Sequence, residues 1–157
     1  MQLKFLFVGK TKQFRWQQEI DDYLGRLGRY APVQLQELKE GHLGSKEEPR
    51  LFCQRQAPKL VQALNRDNFF RVVLAEQGKT STTSQLAAQL ERWLLSGRRG
   101  IVFLVGGPFG MAPAVKDEAD YLLSLSPLTF THDMARLILL EQLYRAMTII
   151  KGEPYHY

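Results

Sequence analysis

The sequence predicts an α/β fold in which a parallel β-sheet is covered by helices on both faces. Segments with strand and helix patterns alternate along the whole chain, and such alternation is typical of parallel strands joined by crossover helices. The segment "GIVFLVGG" (Gly100–Gly107) is apolar throughout, as expected for a central strand buried on both faces. No long linker or internal repeat divides the sequence, so residues 1–157 are predicted to form a single domain.

The first half of the chain contains four predicted elements. Leu3–Gly9 is a short apolar run and is predicted to be a strand. Phe14–Gly28 has apolar residues at helical spacing, whereas Val33–Lys39 alternates apolar and polar residues, as a half-exposed strand does. A polar loop with glycines follows, and a second helix is predicted at Leu51–Leu64.

The second half continues the alternation. Phe70–Glu76 is an apolar strand ended by "QGK", and Thr83–Leu95 is an amphipathic helix that begins with threonine and serine. After the central strand Gly100–Gly107, a short helix is predicted at Ala112–Asp120 and a last strand at Tyr121–Ser126. The final helix is predicted to run from His132 to Ile150.

The composition is that of a globular chain with a basic surface. The sequence is 45% hydrophobic and 24% charged, which provides enough apolar residues for one core. Its 21 basic and 16 acidic residues give a net charge of +5. Part of the surplus is local, because Lys10, Lys12 and Arg15 lie close together and Arg98 is adjacent to Arg99. This distribution favours a polyanionic partner such as nucleic acid, although charge alone does not prove one.

Several classes of protein are disfavoured by the sequence. No apolar run is long enough to span a membrane, and the first ten residues have the pattern of a strand and not of a signal peptide. Cys53 is the single cysteine, so neither an internal disulfide nor a cysteine zinc site is expected. We therefore expect a cytoplasmic protein with no membrane partner and no bound metal.

A glycine-rich turn, "VGGPFG" (Val105–Gly110), directly follows the most apolar strand. Ligands of open α/β sheets gather at the carboxyl ends of the strands, and glycine lets the backbone approach a ligand closely. The turn matches neither a P-loop nor a dinucleotide fingerprint, because its spacing differs and no Gly-Lys-Ser/Thr follows. A ligand-binding turn and a plain strand–helix connection both remain open.

A second turn, "SPLTFT" (Ser126–Thr131), leads into the last helix. Thr131 can cap that helix, and Asp133 suits its positive end. His132 and Arg136 share one side of the helix, where they are either functional groups or a capping histidine and an ordinary ion-pair partner. Glu141 and Arg145, four residues apart in the favourable order, form a predicted ion pair on nearly the opposite side.

The last helix is apolar almost all round. Leu137, Ile138 and Met147 add apolar surface on several sides of it. A helix of this kind must be covered on all sides. The sheet can cover one flank, and we expect a second copy of the chain to cover another, which predicts a homodimer.

These two turns, the last helix and the tail resemble one family in particular. "VGGPFG" followed by "LSLSPLTFTHDMARLILLEQLYRAMTIIKGEPYHY" is similar to the bacterial ribosomal large subunit methyltransferase H family, which belongs to the SPOUT class. The resemblance extends over nearly the whole chain and is sharpest from Gly100 onward. It implies a parallel-sheet SPOUT methyltransferase fold with a C-terminal trefoil knot, S-adenosylmethionine as cofactor, and a homodimer. The implied activity is methylation of N3 of a pseudouridine in 23S rRNA, on the assembled ribosome.

The resemblance also implies site residues. Cofactor contacts are expected at Leu74, at Gly107, and along the turn that consists of Ser126, Pro127, Leu128, Thr129, Phe130 and Thr131. Catalytic roles are expected for His132, Arg136, Tyr155 and His156, with the aromatic tail helping to position the pseudouridine. Which group accepts the N3 proton stays open among His132, Arg136 and His156. The chain ends in Tyr157, where relatives often carry a basic residue, so a terminal phosphate contact is not expected.

Two other functions compete with this one. A non-enzymatic, dimeric ribosome-binding or RNA-binding module with the same fold would have no cofactor affinity. A different nucleotide-handling α/β enzyme would use the glycine-rich turn for phosphate and would bind ATP or NAD. The intact turns argue against the first alternative, and the missing P-loop lysine argues against the second.

Overall fold

The computed structural model describes residues 1–157 and confirms the predicted α/β fold. The strands, in chain order, are β1 (Gln2–Val8), β2 (Val33–Leu38), β3 (Phe69–Lys79), β4 (Gly100–Val105) and β5 (Tyr121–Leu123). The helices are α1 (Phe14–Leu27), α2 (Pro49–Leu64), α3 (Thr83–Leu94), α4 (Pro113–Asp117) and α5 (His132–Lys151). All strand pairs of the five-stranded sheet are parallel, and the strand order is β2-β1-β4-β3-β5.

Strand β4 lies at the centre of the sheet, as its apolar sequence predicts. It pairs with β1 on one side and with β3 on the other. Every residue of β4 is buried. Because all strands run in the same direction, the segments that follow β1, β3, β4 and β5 meet at one edge of the sheet, where ligand sites of such folds form.

Two hydrophobic cores cover the two faces of the sheet. On one face, Phe5 and Phe103 pack with residues of α1, α3 and α5. On the other face, Leu6 and Leu104 pack with residues of α2 and α4. Neighbouring residues of one strand thus point into different cores, which is why β1 and β4 are apolar at nearly every position.

Helix α5 lies between α1 and α3 and contacts both. These neighbours explain much of its apolar surface without a second copy of the chain. Met147 is only 4% exposed within the single chain, so the expectation that its side of the helix needs a partner subunit is wrong. Leu137 and Ile138 remain half-buried and form part of an outward strip that nothing in the chain covers fully.

Two predicted boundaries are wrong around β3 and β5. β3 continues to Lys79, and both Leu74 and Lys79 pair with Leu123 across a register shift. The pairing of β3 with β5 is therefore irregular between Leu74 and Lys79. Strand β5 is short and ends at Leu123, not at Ser126. Gly78 lies so close to β5 that a Cβ atom there would be 2.7 Å from the carbonyl oxygen of Leu122. The periodicity of "EQGK" could not predict this contact, since it depends on a strand about forty residues later.

Two other elements differ slightly from the prediction. α4 spans only Pro113–Asp117, and α2 begins at Pro49, whose ring suits the first turn of a helix. The trefoil knot implied by the resemblance stays a prediction. No helix of the structure is long and apolar enough to cross a membrane.

Candidate active site

A cavity of about 710 Å³ opens at the carboxyl edge of the sheet. Its volume is typical of small-molecule sites. Three segments line it, and they lie in or directly after the carboxyl-terminal parts of β3, β4 and β5. They comprise Leu74–Gln77, Val105–Met111, and residues between Leu123 and His132, with Lys116 and Ala135 at the margin.

The cavity brings together most of the residues predicted to contact a cofactor. The predicted residues that line it are Leu74, Gly107, Ser126, Leu128, Thr129, Phe130 and Thr131. Pro127 is exposed and does not line it. Residues far apart in the sequence thus share one cavity, and their cofactor contacts stay a prediction.

The glycine-rich turn is held in shape from two sides. Gly110 has φ +77°, a conformation that favours glycine, and its N–H donates to the carbonyl of Gly107 at 3.1 Å. On the α2 side, the thiol of Cys53 donates to the carbonyl of Phe109 at 3.2 Å. Glu40, in the loop after β2, lies behind Gly107, and a Cβ atom on Gly107 would be 3.2 Å from its Oε1 atom.

The turn between β5 and α5 is held by short-range hydrogen bonds. Ser124 Oγ donates to the carbonyl of Ser126 at 3.0 Å, and the N–H of Leu128 donates to Ser126 Oγ at 3.0 Å. Thr129 Oγ1 donates to a carboxylate oxygen of Glu76 at 2.9 Å, which joins this turn to the end of β3. Thr131 caps α5 by accepting from the N–H of Met134 at 3.4 Å, as predicted.

His132 is the predicted catalytic residue that lines the cavity. Its side chain is 15% exposed, and burial lowers its pKa below the usual value of 6.5. The positive charges of Arg136 and Lys12 lower the pKa further, against the opposing effect of Asp133 and Glu40. At neutral pH the imidazole is therefore uncharged and can accept a proton.

The carboxylate of Asp133 lies next to His132, and one of its oxygens makes no hydrogen bond. Its Oδ1 atom lies 3.5 Å from His132 Nε2 and 3.5 Å from Arg136 Nη1, and it is buried without a hydrogen-bond partner. Its other oxygen accepts the N–H of Lys12 at 3.3 Å. The carboxylate is thus available to stabilise a positive charge on His132.

Arg136 lies beneath the cavity and does not line it. The residue is fully buried, and its guanidinium lies 4.8 Å from the centre of the Phe7 ring. Nη2 donates to the carbonyls of Val8 and Gly9 at 2.6 and 3.0 Å, and Nη1 donates to Thr11 Oγ1 at 3.1 Å. Arg136 therefore joins the end of β1 to α5 and has no free surface to offer a substrate in this structure.

The aromatic tail folds back along the C-terminal half of α5 and does not line the cavity. The helix has 20 residues, which corresponds to a length of about 30 Å. The Tyr155 hydroxyl lies 3.3 Å from that of Tyr23 and donates to Glu141 at 3.4 Å. His156 and Tyr157 are exposed. Within one chain, Tyr155 and His156 therefore do not meet His132.

Other cavity residues were missed by sequence reasoning. Glu76 and Lys116 line the cavity and carry charge, and Phe109 adds an aromatic ring. Glu76 could have been noticed, because it is an acidic residue at the carboxyl end of an apolar strand. Lys116 had no local signal, since it reaches the site only through the packing of α4.

Comparisons with known proteins agree with this arrangement. A family model described as "Predicted SPOUT methyltransferase" matches residues 1–156. The chain is 42% identical to a protein from Geobacter metallireducens named ribosomal RNA large subunit methyltransferase H, over 100% of this chain and 99% of that protein. Proteins of the same name from Desulfotalea psychrophila and Syntrophomonas wolfei are 41% and 38% identical, each over 99% of both chains. The similarity extends over the full length, as the resemblance implied.

Proposed function

The chain belongs to the SPOUT methyltransferase family, and we propose that it methylates ribosomal RNA of the large subunit with S-adenosylmethionine as the methyl donor. The proposed target is N3 of a pseudouridine in 23S rRNA on the assembled ribosome. The observation that carries this proposal is the cavity at the carboxyl edge of the sheet, built from the ends of three parallel strands.

The cavity suits a nucleoside-sized cofactor with both apolar and polar parts. Leu74, Val105 and Leu123 provide apolar walls, and the glycine-rich turn exposes backbone groups. Thr129 and Glu76 add polar groups that are already positioned by their mutual hydrogen bond. When bound, S-adenosylmethionine supplies an electrophilic methyl group, so the protein needs mainly to align the two reactants.

His132 is the proposed acceptor of the N3 proton. N3 of pseudouridine lies between two carbonyls, and its proton must leave for the nitrogen to become a good nucleophile. The lowered pKa of His132 keeps the imidazole neutral at pH 7. After proton transfer, Asp133 Oδ1, which makes no hydrogen bond but also faces Arg136, stabilises the imidazolium at a distance of 3.5 Å. Arg136 is the proposed positioning residue, because it holds the first turn of α5, and with it His132, against the end of β1.

We also propose that two copies of the chain complete the site. His132 begins α5, whereas Tyr155 packs on the C-terminal half of that helix, against Tyr144 and Arg145. An antiparallel pairing of two α5 helices through Leu137 and Ile138 would place the tail of one subunit beside the cavity of the other. Glu141, Arg145 and Tyr23 hold Tyr155, so its main role is to direct His156 and Tyr157 outward.

A calorimetric titration tests the cofactor. We expect saturable binding of S-adenosylhomocysteine and none of ATP or NAD. Binding of ATP or NAD in place of S-adenosylhomocysteine would favour another nucleotide-handling enzyme. A folded chain that binds none of the three would favour the non-enzymatic RNA-binding module.

A further inference from the structure

The segment that joins β1 to the first turn of α1 presents an aromatic ring to solvent. Phe14, the first residue of α1, is 77% exposed. A single exposed apolar side chain is ordinary on a protein surface, so its surroundings decide what it does. We define the basic loop as residues Lys10–Arg15, which contain Phe14 and three cations.

The cations of the basic loop have no acidic partners. Lys10, Lys12 and Arg15 are exposed, and their side chains take part in no salt bridge or hydrogen bond. Several exposed arginines elsewhere, among them Arg29 and Arg50, are equally unpaired, whereas carboxylates pair with four others. These paired residues are Arg26, Arg55, Arg71 and Arg145. The positive charge of the basic loop is therefore free to attract a polyanion.

The basic loop is fixed beside the cavity. Arg136 binds the carbonyls of Val8 and Gly9 directly before the loop, and it binds Thr11 within it. The N–H of Lys12 donates to Asp133, the neighbour of the cavity residue His132. Phe14 follows Lys12 by two residues, which span at most about 7 Å. Substrate held by the loop would thus lie close to the cavity mouth.

We propose that the basic loop docks a single-stranded segment of rRNA next to the methylated nucleotide. Phe14 stacks on an unpaired base, while Lys10, Lys12 and Arg15 contact phosphates. Proteins commonly hold unpaired RNA bases on aromatic rings flanked by positive charge. The unpaired positive charge of the basic loop favours a polyanion over a second copy of this chain at this surface. This inference rests on the proposed function and names the surface through which the substrate is held.

The test compares ribosome affinities of Phe14→Ala, Phe14→Trp and the unchanged chain. Loss of one stacked base should weaken binding to purified ribosomes by about fivefold or more in Phe14→Ala. Phe14→Trp should keep the affinity, because the indole can also stack. Leu95→Ala is the matched control, since Leu95 is 79% exposed and ends α3 at the opposite edge of the sheet.

Charge is tested in the same assay. Lys12→Gln should weaken ribosome binding and flatten its salt dependence by about one unit of log–log slope, whereas Arg99→Gln at the opposite edge should not. S-adenosylhomocysteine affinity and sedimentation mass should stay unchanged in every variant.

Three results would overturn the inference. Unchanged ribosome affinity in Phe14→Ala would show that no base stacks there. A changed sedimentation mass would assign Phe14 to a contact between copies of the chain. An equal loss of ribosome affinity in Leu95→Ala would show that the effect of Phe14→Ala is not specific to the basic loop. Failure of the unchanged chain to bind or methylate ribosomes would instead overturn the proposed function itself.

Discussion

At the scale of single residues, Gly107 is where backbone and ligand are expected to meet. A side chain at this position would meet Glu40 on one side, where a Cβ atom would be 3.2 Å from Oε1, and would narrow the cavity that Gly107 lines. We predict that Gly107→Val abolishes binding of S-adenosylmethionine while the far-UV circular dichroism stays unchanged. Gly25→Ala is the control, because nothing lies within 4 Å of a Cβ atom there. Full cofactor affinity in a folded Gly107→Val chain would remove this turn from the site.

His132 gives a prediction about pH. Burial holds its pKa below 6.5, so the proton-accepting form is present above that pKa and is lost as the pH falls through it. The rate of methyl transfer should therefore fall on the acid side with a midpoint below pH 6.5. His132→Asn should slow the reaction by about a hundredfold and remove this dependence. An unchanged acid limb in His132→Asn would exclude His132 as the proton acceptor.

The residue scale also shows what sequence can and cannot predict about a site. The sequence predicted that Gly107 and the Ser126–Thr131 turn share one site, and all of these residues except Pro127 line one cavity, while their cofactor contacts stay a prediction. The burial of Arg136 was not predictable, because its partners Val8, Gly9 and Thr11 lie more than 120 residues away and contribute mainly backbone carbonyls. No side-chain pattern in the sequence encodes such acceptors.

At the scale of elements, α5 and its tail connect the fold to the proposed site. Deleting Pro154–Tyr157 removes the tail and uncovers Tyr144, against which Tyr155 packs, but it leaves Leu137 and Ile138 in place. We predict that the deletion preserves the dimer and lowers methyl transfer to ribosomes at least tenfold, which is about 1.4 kcal/mol of transition-state stabilisation. Full activity of the shortened chain would mean that the tail only packs.

Substitutions of Tyr155 distinguish the hydrogen bonds of its hydroxyl from the packing of its ring. Its hydroxyl lies near Tyr23 and Glu141, and its ring packs edge-on against Tyr144 with centroids 4.8 Å apart. Tyr155→Phe should therefore cause a loss of activity, because the hydroxyl fixes the tail, and Tyr155→Ala should cause a larger one. Equal activity in Tyr155→Phe and the unchanged chain would show that packing of the ring is sufficient.

Elements were predicted well where the pattern is local. The apolar run of β4 and the threonine before α3 identified those elements, and Thr82 forms a capping box with Gln85. The extension of β3 to Lys79 was missed, because it depends on pairing with Leu123. Such boundaries depend on pairing with a strand that is distant in the sequence, so the local residue pattern does not predict them.

At the scale of the whole molecule, the proposed shared site needs two chains. The proposed antiparallel dimer would cover the half-buried residues Leu137 and Ile138 and would bring the tail of one chain to the cavity of the other. Sedimentation at micromolar concentration should give about twice the chain mass of 18.1 kDa. Leu137→Glu should shift the mass toward the monomer and lower activity together. A fully active monomer would contradict a shared site.

The central claim is tested most directly by following the methyl group. The chain is incubated with ribosomes that lack this modification and with isotope-labelled S-adenosylmethionine, and the labelled nucleotide is then identified by mass spectrometry. We expect one labelled methyl group on N3 of a single pseudouridine in 23S rRNA, and none when Gly107→Val replaces the unchanged chain. Absence of label from 23S rRNA, or label on a different nucleotide, would contradict this claim.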